Sequence, residues 1–275
     1  MHPHPVAAAQ DYFGTDVQQT LLMRGRALYD LTRETTHFTY YGRAVGVFNH
    51  DDAPLEHVIA LARLQGNSNY ACVPNDRMAV LQAETVDHGL QPMHYARWVG
   101  ADETLNMARK IVATRALPED IRLEWLSAET PQETRASFAD AALSCGVLPP
   151  NLAVLSGTLR PGACLMALDA TGEVQSCAAA ASFAHDAHPM GRTECWWGML
   201  ATRETARGHG LSLRLGAEVI LEMNRRYGFT QVFTGVEPGN APSEAVCARL
   251  GLRDTDASIL GMADPGLIPG GRMTK

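Results

Sequence analysis

The chain has 275 residues, 46% apolar and 19% charged, the balance of a folded globular protein rather than a disordered one. Its formal net charge is −7 and it contains no run of Lys or Arg, which argues against a nucleic-acid groove. It also has no apolar stretch of about 18 residues of the kind that spans a membrane. The length exceeds that of a typical domain and predicts two compact units.

The N-terminal stretch MHPHPVAAAQDYFG lacks a basic region and a long apolar segment, so it does not read as a secretory signal. His2 and His4 flank a proline at the chain end and read as a tail rather than a metal pair. Six cysteines (72, 145, 164, 177, 195 and 247) are scattered, with no CxxC pair and no zinc spacing. Several lie in apolar runs, which predicts reduced core thiols, a cytoplasmic location and no metal site.

In chain order, residues 15–35 have helical apolar spacing and open on Thr15 and Asp16 as N-cap residues. A second helix is predicted over 54–65, from Pro54 to the residue before Gly66. A short strand over Tyr70–Val73, a helix over 76–88 stopped by Gly89, a strand over Pro92–Val99 and a helix over 101–116 follow. Pro118 breaks the chain, and the pattern changes after it. The domain boundary is therefore placed here, with an N-terminal α/β domain over 1–117 and a second domain over 118–275.

The second domain reads β–α–β–β–β–α–β–α–β. Its elements are a strand over Ile121–Leu126, a helix over Thr130–Cys145, and strands over Ala163–Asp169 and Val174–Phe183 joined by an Ala170-Thr171-Gly172 turn. A strand over Thr193–Thr202, a long amphipathic helix over Gly208–Tyr227, a strand over Gln231–Val236, a helix over Ala241–Leu250 and a last strand over Ile259–Met262 complete it. The Pro- and Gly-rich tail is expected on the surface.

The chemistry-bearing segment is Arg207-Gly208-His209-Gly210-Leu211-Ser212, where a strand passes through a glycine turn into a helix. The first amides of a helix lack intrahelical partners, and the positive end of the helix dipole favours a bound phosphate. Gly208 and Gly210 carry no Cβ, so an anion can approach the backbone, and Arg207 adds a cation. A dinucleotide fingerprint would need a third glycine that is absent here, and a P-loop would need a Gly-Lys pair that the chain lacks.

Arg207-x-x-Gly210 with the surrounding strand and helix resembles the signature of the GNAT acetyltransferase family, Gln/Arg-x-x-Gly-x-Gly/Ala, with Ser212 in place of the usual small Gly or Ala. A second similar element, a strand leading to Asn and then a short helix ending in Leu-Gly, is met by Val232–Val236, Asn240 and Leu250-Gly251. The resemblance covers about residues 119–265. It implies a mixed twisted sheet flanked by helices, of the α+β or α/β class, with the N-terminal α/β domain as an addition. Residues 37–99, and Met78–Trp98 above all, have the look of a degenerate second unit of this kind without a phosphate turn.

The resemblance further implies an acetyl-CoA-dependent, or other acyl-CoA-dependent, N-acetyltransferase acting on a primary amine of a small molecule or peptide. In such enzymes two parallel strands splay around the pantetheine arm. The backbone of Leu200, Ala201 and Thr202 would pair with the arm, Arg207, Gly208, His209, Gly210, Leu211 and Ser212 would hold the diphosphate, and Asn240 would lie beside the arm. His209 reads as a spacer whose backbone N–H matters more than its ring.

Two departures concern the catalytic groups. Cys247 stands where many relatives carry a Tyr acid, and Gly235 stands where they carry a Glu on the second strand. Cys247 is the candidate acid, the alternative being that it only packs and water or another group supplies the proton; Glu194 is the candidate base, the alternative being an ordinary surface Glu near a strand start. Strand alternation puts positions 194, 196, 198, 200 and 202 on one face if no bulge intervenes. Trp196 and Trp197 should then divide between cleft and core, and His185 and His188 are weaker candidates. The alternative function is a catalytically silent acyl-CoA-binding module. The N-terminal half could cover the acceptor side of the cleft or make a homodimer contact.

Overall fold

The computed structural model describes residues 11–268. His2, His4 and the end of the tail lie outside the described residues.

The first helix, α1 (Asp16–Thr32), begins where the sequence places it. The Thr15 hydroxyl accepts from the Gln18 N–H at 3.3 Å, and the Gln18 side chain accepts from the Thr15 N–H at 2.9 Å, a reciprocal cap. Two short strands follow, β1 (Phe38–Thr39) and β2 (Gly46–Asn49). Periodicity does not reveal them, because a strand of two or four residues holds too few alternations to read. They are fixed from outside. β2 lies parallel to β3, pairing Val47 with Tyr70 and Asn49 with Cys72. The buried Gln65 amide also accepts from the Val45 N–H at 2.9 Å and donates to the Val45 C=O at 2.6 Å.

The rest of the first half follows expectation to within a few residues: α2 (Leu55–Gln65), β3 (Asn67–Pro74), α3 (Asn75–Asp87), β4 (Gln91–Gly100) and α4 (Asp102–Thr114). The second half contains β5 (Arg122–Trp125), α5 (Gln132–Ser144), α6 (Leu152–Leu155), β6 (Gly162–Leu168), β7 (Val174–Ser182), β8 (Glu194–Thr202), α7 (Leu211–Tyr227), β9 (Gln231–Val236), α8 (Ala241–Arg249) and β10 (Arg253–Ala263). The single-turn α6 is unannounced in the sequence. α7 starts at Leu211, three residues later than the expected Gly208. The last strand begins at Arg253 rather than Ile259.

That longer last strand follows from the topology. The ten strands form one mixed sheet in the order β1-β2-β3-β10-β4-β9-β8-β7-β6-β5. β10 runs antiparallel between β3 and β4, with both of its edges paired. β4 in turn pairs with β9, from Ala96↔Val236 to Gly100↔Val232. Backbone hydrogen bonding therefore runs continuously across residue 117.

Helices cover both faces of the sheet. Along β6 and β7 every residue is buried, and alternate residues enter different cores. Cys164, Met166, Cys177, Ala179 and Ala181 pack with Phe138 of α5 and Leu152 of α6. Leu165, Ala167, Ala178 and Ala180 pack with α4 and α7. Strands buried on both faces read as continuous apolar runs, as these do. Among the described residues no helix is long and apolar enough to cross a membrane.

Candidate functional site

The site is built on a local irregularity of β8. Its register with β7 takes three steps, from Gly198 to Ala201, where β7 takes two, from Ala179 to Cys177. Ala178 thus faces both Met199 and Leu200, a β-bulge, and Met199 adopts φ 56°, a left-handed value unusual outside glycine. The bulge flips the alternation that the sequence predicts. Trp196, Met199 and Ala201 join one core, while Cys195, Trp197 and Leu200 pack on the α7 side.

The bulge also parts β8 from β9. Their parallel pairing comprises Glu194↔Gln231, Cys195↔Val232 and Trp196↔Phe233 and then ends. Beyond it, β8 keeps β7 on its outer edge and β9 keeps β4 on its own. Two strand edges therefore face each other across a slot with their backbone groups unpaired. An extended polar chain can hydrogen-bond to such edges.

At the end of β8 the chain makes a short 3-10 turn at Glu204–Ala206 and then two left-handed glycines, Gly208 with φ +86 and Gly210 with φ +72. Gly210 caps α7 without any side-chain bond, and the first backbone bond of the helix runs from the Arg214 N–H to the Gly210 C=O. Among the described residues, the amides of 208–213 have no backbone acceptor. They form a row of donors at the positive end of a 17-residue helix.

Two cations stand there. Arg207 is exposed, with its Nε donating to the Thr202 C=O at 3.3 Å. Arg115 comes from the end of α4, and its guanidinium occupies the space that a Cβ on Gly210 would need. Nothing in the sequence announces Arg115, because it is 95 positions away from Gly210 and has no motif around it. Ser212 fits its place, with its hydroxyl 2.7 Å from that of Thr202.

A cavity of about 420 Å³ opens on the slot. Gly198 and Leu200 of β8, Thr234, Gly235 and Val236 of β9, and Asn240, Ser243 and Cys247 at α8 form one part of its wall. Tyr41, Arg43, Asn67, Ser68, Asn69 and Tyr95 of the N-terminal half form another. Of the sequence-predicted residues, Leu200, Asn240 and Cys247 reach this cavity. Ala201 and Thr202 do not: Ala201 is buried in the core, and its C=O accepts from the Ser176 hydroxyl at 2.8 Å. The 207–212 turn lies outside the wall, at the helix mouth. Asn240 caps α8, accepting from the Ser243 N–H at 3.3 Å.

The two acid–base candidates occupy different settings. Glu194 points to the expected face but is sealed within it, 2% exposed and absent from the cavity wall. Its carboxylate is ion-paired with Arg97 of β4, whose guanidinium lies 4.5 Å from the centre of the Phe233 ring. Burial raises the Glu194 carboxyl, and Arg97 opposes that rise. A carboxylate enclosed in this way does not contact the cavity directly.

Cys247 does reach the wall, but burial pushes its thiol up to about 12. That is well above the ordinary value of about 8.5, so the thiol is a poor donor to a leaving thiolate. Replacing Cys247 with Ala is expected to leave turnover nearly unchanged, whereas loss of a true general acid would lower kcat by about 100-fold or more.

Gly235 shows why this cavity lacks the second-strand Glu. A Cβ there would lie 2.9 Å from the Ile259 side chain and 3.1 Å from Tyr95 Cβ. His185 and His188 are not on the wall either. His188 packs on Phe48 at 4.3 Å, and burial lowers its pKa. The tryptophans do not divide between cleft and core: both border the cavity, and each also packs into a core, Trp196 on one face of the sheet and Trp197 on the other. Trp196 lines the cavity beside Tyr41 at 4.7 Å, and the buried Trp197 indole donates to the Gly216 C=O at 3.1 Å.

No family model matches the chain, and no curated protein does. Solved structures do. A GCN5-related N-acetyltransferase-like protein from Streptococcus suis superposes with a TM-score of 0.52 at 15% identity over 82% of each chain. A Drosophila melanogaster protein gives a TM-score of 0.52 at 15% identity over 89% of each chain. A functionally unknown conserved protein from Staphylococcus epidermidis gives 0.50 at 10% identity, over 82% of this chain and 86% of its own. At this identity the likeness concerns architecture: the chain has the GNAT fold, a mixed sheet flanked by helices.

Proposed function

We propose that this protein is an acyl-CoA-dependent N-acyltransferase, with acetyl-CoA the simplest donor. The observation that carries the reading is the coincidence of two features on one strand. β8 parts from β9 after Trp196, and the same strand then runs into a helix mouth whose amides from 208 to 213 have no backbone acceptor. The slot suits an extended arm with amide groups along it, and the mouth suits a diphosphate. Arg207 and Arg115 would add charge-assisted contacts to the phosphates. Leu200 would contact the arm from β8 and Asn240 from α8.

In the reaction, the neutral amine would attack the thioester carbonyl, a C–N bond would form and the C–S bond would break. The amine proton would leave to solvent, and the thiolate would take one from solvent. Rate would come chiefly from holding amine and carbonyl together, with slot amides donating to the developing oxyanion. The six unpaired thiols fit a reducing, cytoplasmic setting.

A second reading, a silent acyl-CoA-binding module, is favoured by one feature. Among the described residues, the cavity wall carries no carboxylate and no imidazole. Calorimetry with CoA, followed by thiol-release assays of acetyl-CoA against an amine panel, separates the readings. The enzyme binds CoA and releases thiol with at least one amine. The module binds CoA and releases none, and absence of CoA binding would sink both.

A further inference from the structure

The acceptor side of the cavity is electrically one-sided. Among the described residues on its wall, Arg43 alone carries a formal charge. Its guanidinium carbon lies 5.5 Å from the centre of the Tyr41 ring and 5.7 Å from that of Trp196, beside an aromatic pair whose own centres are 4.7 Å apart. No carboxylate pairs with it among the described residues, and its buried Nε has no acceptor. The planar fork matches a carboxylate, and no protein carboxylate among the described residues occupies it. Asn67 stands on the same wall, and its side-chain amide can both accept and donate a hydrogen bond.

The segment that presents Arg43 is rigid. Gly42 sits at φ +97, and a Cβ on it would meet Pro150 at 2.8 Å. The Gly42 C=O accepts from the Asn151 N–H at 3.0 Å and from the Asn151 side-chain amide at 3.2 Å. On the other side, the Arg43 C=O lies against Gly25 of α1, in the space that a Cβ there would need. Gln65 clamps Val45 two residues on. A backbone held this firmly fixes the point from which the guanidinium extends, which favours recognition by a fixed geometry.

We infer that the acceptor is an amine that also bears a carboxylate, an amino acid or a related amino acid-like compound, with Arg43 as its carboxylate anchor and Asn67 facing its N–H groups. This rests on the acyl-transfer reading of the same cavity. The chemistry is consistent with that reading: a wall with one cation and no anion disfavours a second positive charge, so the amine enters in the neutral form that attacks.

The test uses phenylalanine, 4-aminobutyrate and 6-aminohexanoate, each against its primary amide, with acetyl-CoA saturating and rates compared per neutral amine. Calorimetry follows the same compounds binding to the full chain with and without CoA. At least one carboxylate acceptor is expected to exceed its amide in kcat/KM by about 10- to 100-fold, the range of a hydrogen bond to a charged group. Arg43→Gln should abolish that preference through KM, Arg43→Lys should keep part of it, and both should bind CoA as the wild type does, which also reports an intact fold.

The inference is overturned if amides match carboxylates, if the preference survives Arg43→Gln, or if none of the three carboxylates binds in calorimetry. Absence of CoA binding by the wild type is a separate result. It removes the acyl-transfer reading, while carboxylate binding lost on Arg43→Gln would still support the anchor.

Discussion

Replacing Gly210 with Val is expected to weaken CoA binding by about 100-fold or more, the loss of roughly two hydrogen bonds to charged phosphate oxygens. Gly210 holds φ +72 as the N-cap of α7 and presents the free amides that follow it. A β-branched residue does not sit comfortably there, and the strain is about 1–2 kcal/mol. The Cβ would also displace Arg115, whose guanidinium fills that position. Relief of the strain turns the amides of the mouth away from one another.

Gly228 supplies the control. It holds φ +79 at the other end of the same helix, and a Cβ added there would meet nothing within 4 Å. Gly228→Val should therefore show a similar fall in Tm, a few degrees for a strain of about 1–2 kcal/mol, yet keep CoA affinity. Thermal denaturation and calorimetry on the two variants check this. Wild-type CoA affinity in Gly210→Val would remove the helix mouth from the site.

Replacing Glu194 with Ala is expected to destabilise the fold by about 3–5 kcal/mol, because it leaves the Arg97 charge buried without its partner. Arg97 is 7% exposed, its Nη2 donates to the Glu194 carboxylate, and its Nε has no acceptor among the described residues. The double variant Arg97→Met with Glu194→Leu should recover most of that loss, since apolar groups of similar volume satisfy the same space. Equilibrium unfolding of the single and double variants reads both effects.

The pH dependence has a definite sign. Burial raises the folded carboxyl above its ordinary 4.5, so the Glu194 contribution is full below that value and is lost as pH rises through the raised one. The stability of the wild type relative to Glu194→Gln should therefore fall as pH increases above 4.5. Were Glu194 the general base, Glu194→Gln would instead abolish kcat and remove the acidic limb of the pH–rate profile without a large change in Tm.

Much of the architecture was legible from local signals. The long helices carry whole stripes of apolar residues. Caps such as Thr15 and stops such as Gly66, Gly89, Gly228 and Gly251 mark where hydrogen bonding must end. The glycine turn into α7 was equally legible, because two glycines and an arginine within four residues act through the backbone of that same segment. By itself, then, the sequence determined the order and kind of most elements and the position of the helix mouth.

Only the tertiary structure decided what faces what. The bulge at Met199 arises from the pairing of β8 with β7, and one extra residue reverses the face of every side chain after it. That shift defeated the alternation reading of 194–202. The burial of Glu194 depends on β4, brought from the other half of the chain to pair with β9, and on Arg97 carried by that strand. Arg43, Asn67 and Arg115 reach the cavity and the helix mouth from residues far away in sequence, so no local pattern could reveal them. Hydrogen-bonded periodicity is a property of neighbours along the chain. The shape and charge of a cavity belong to neighbours in space, and here those come from both halves of one interleaved sheet.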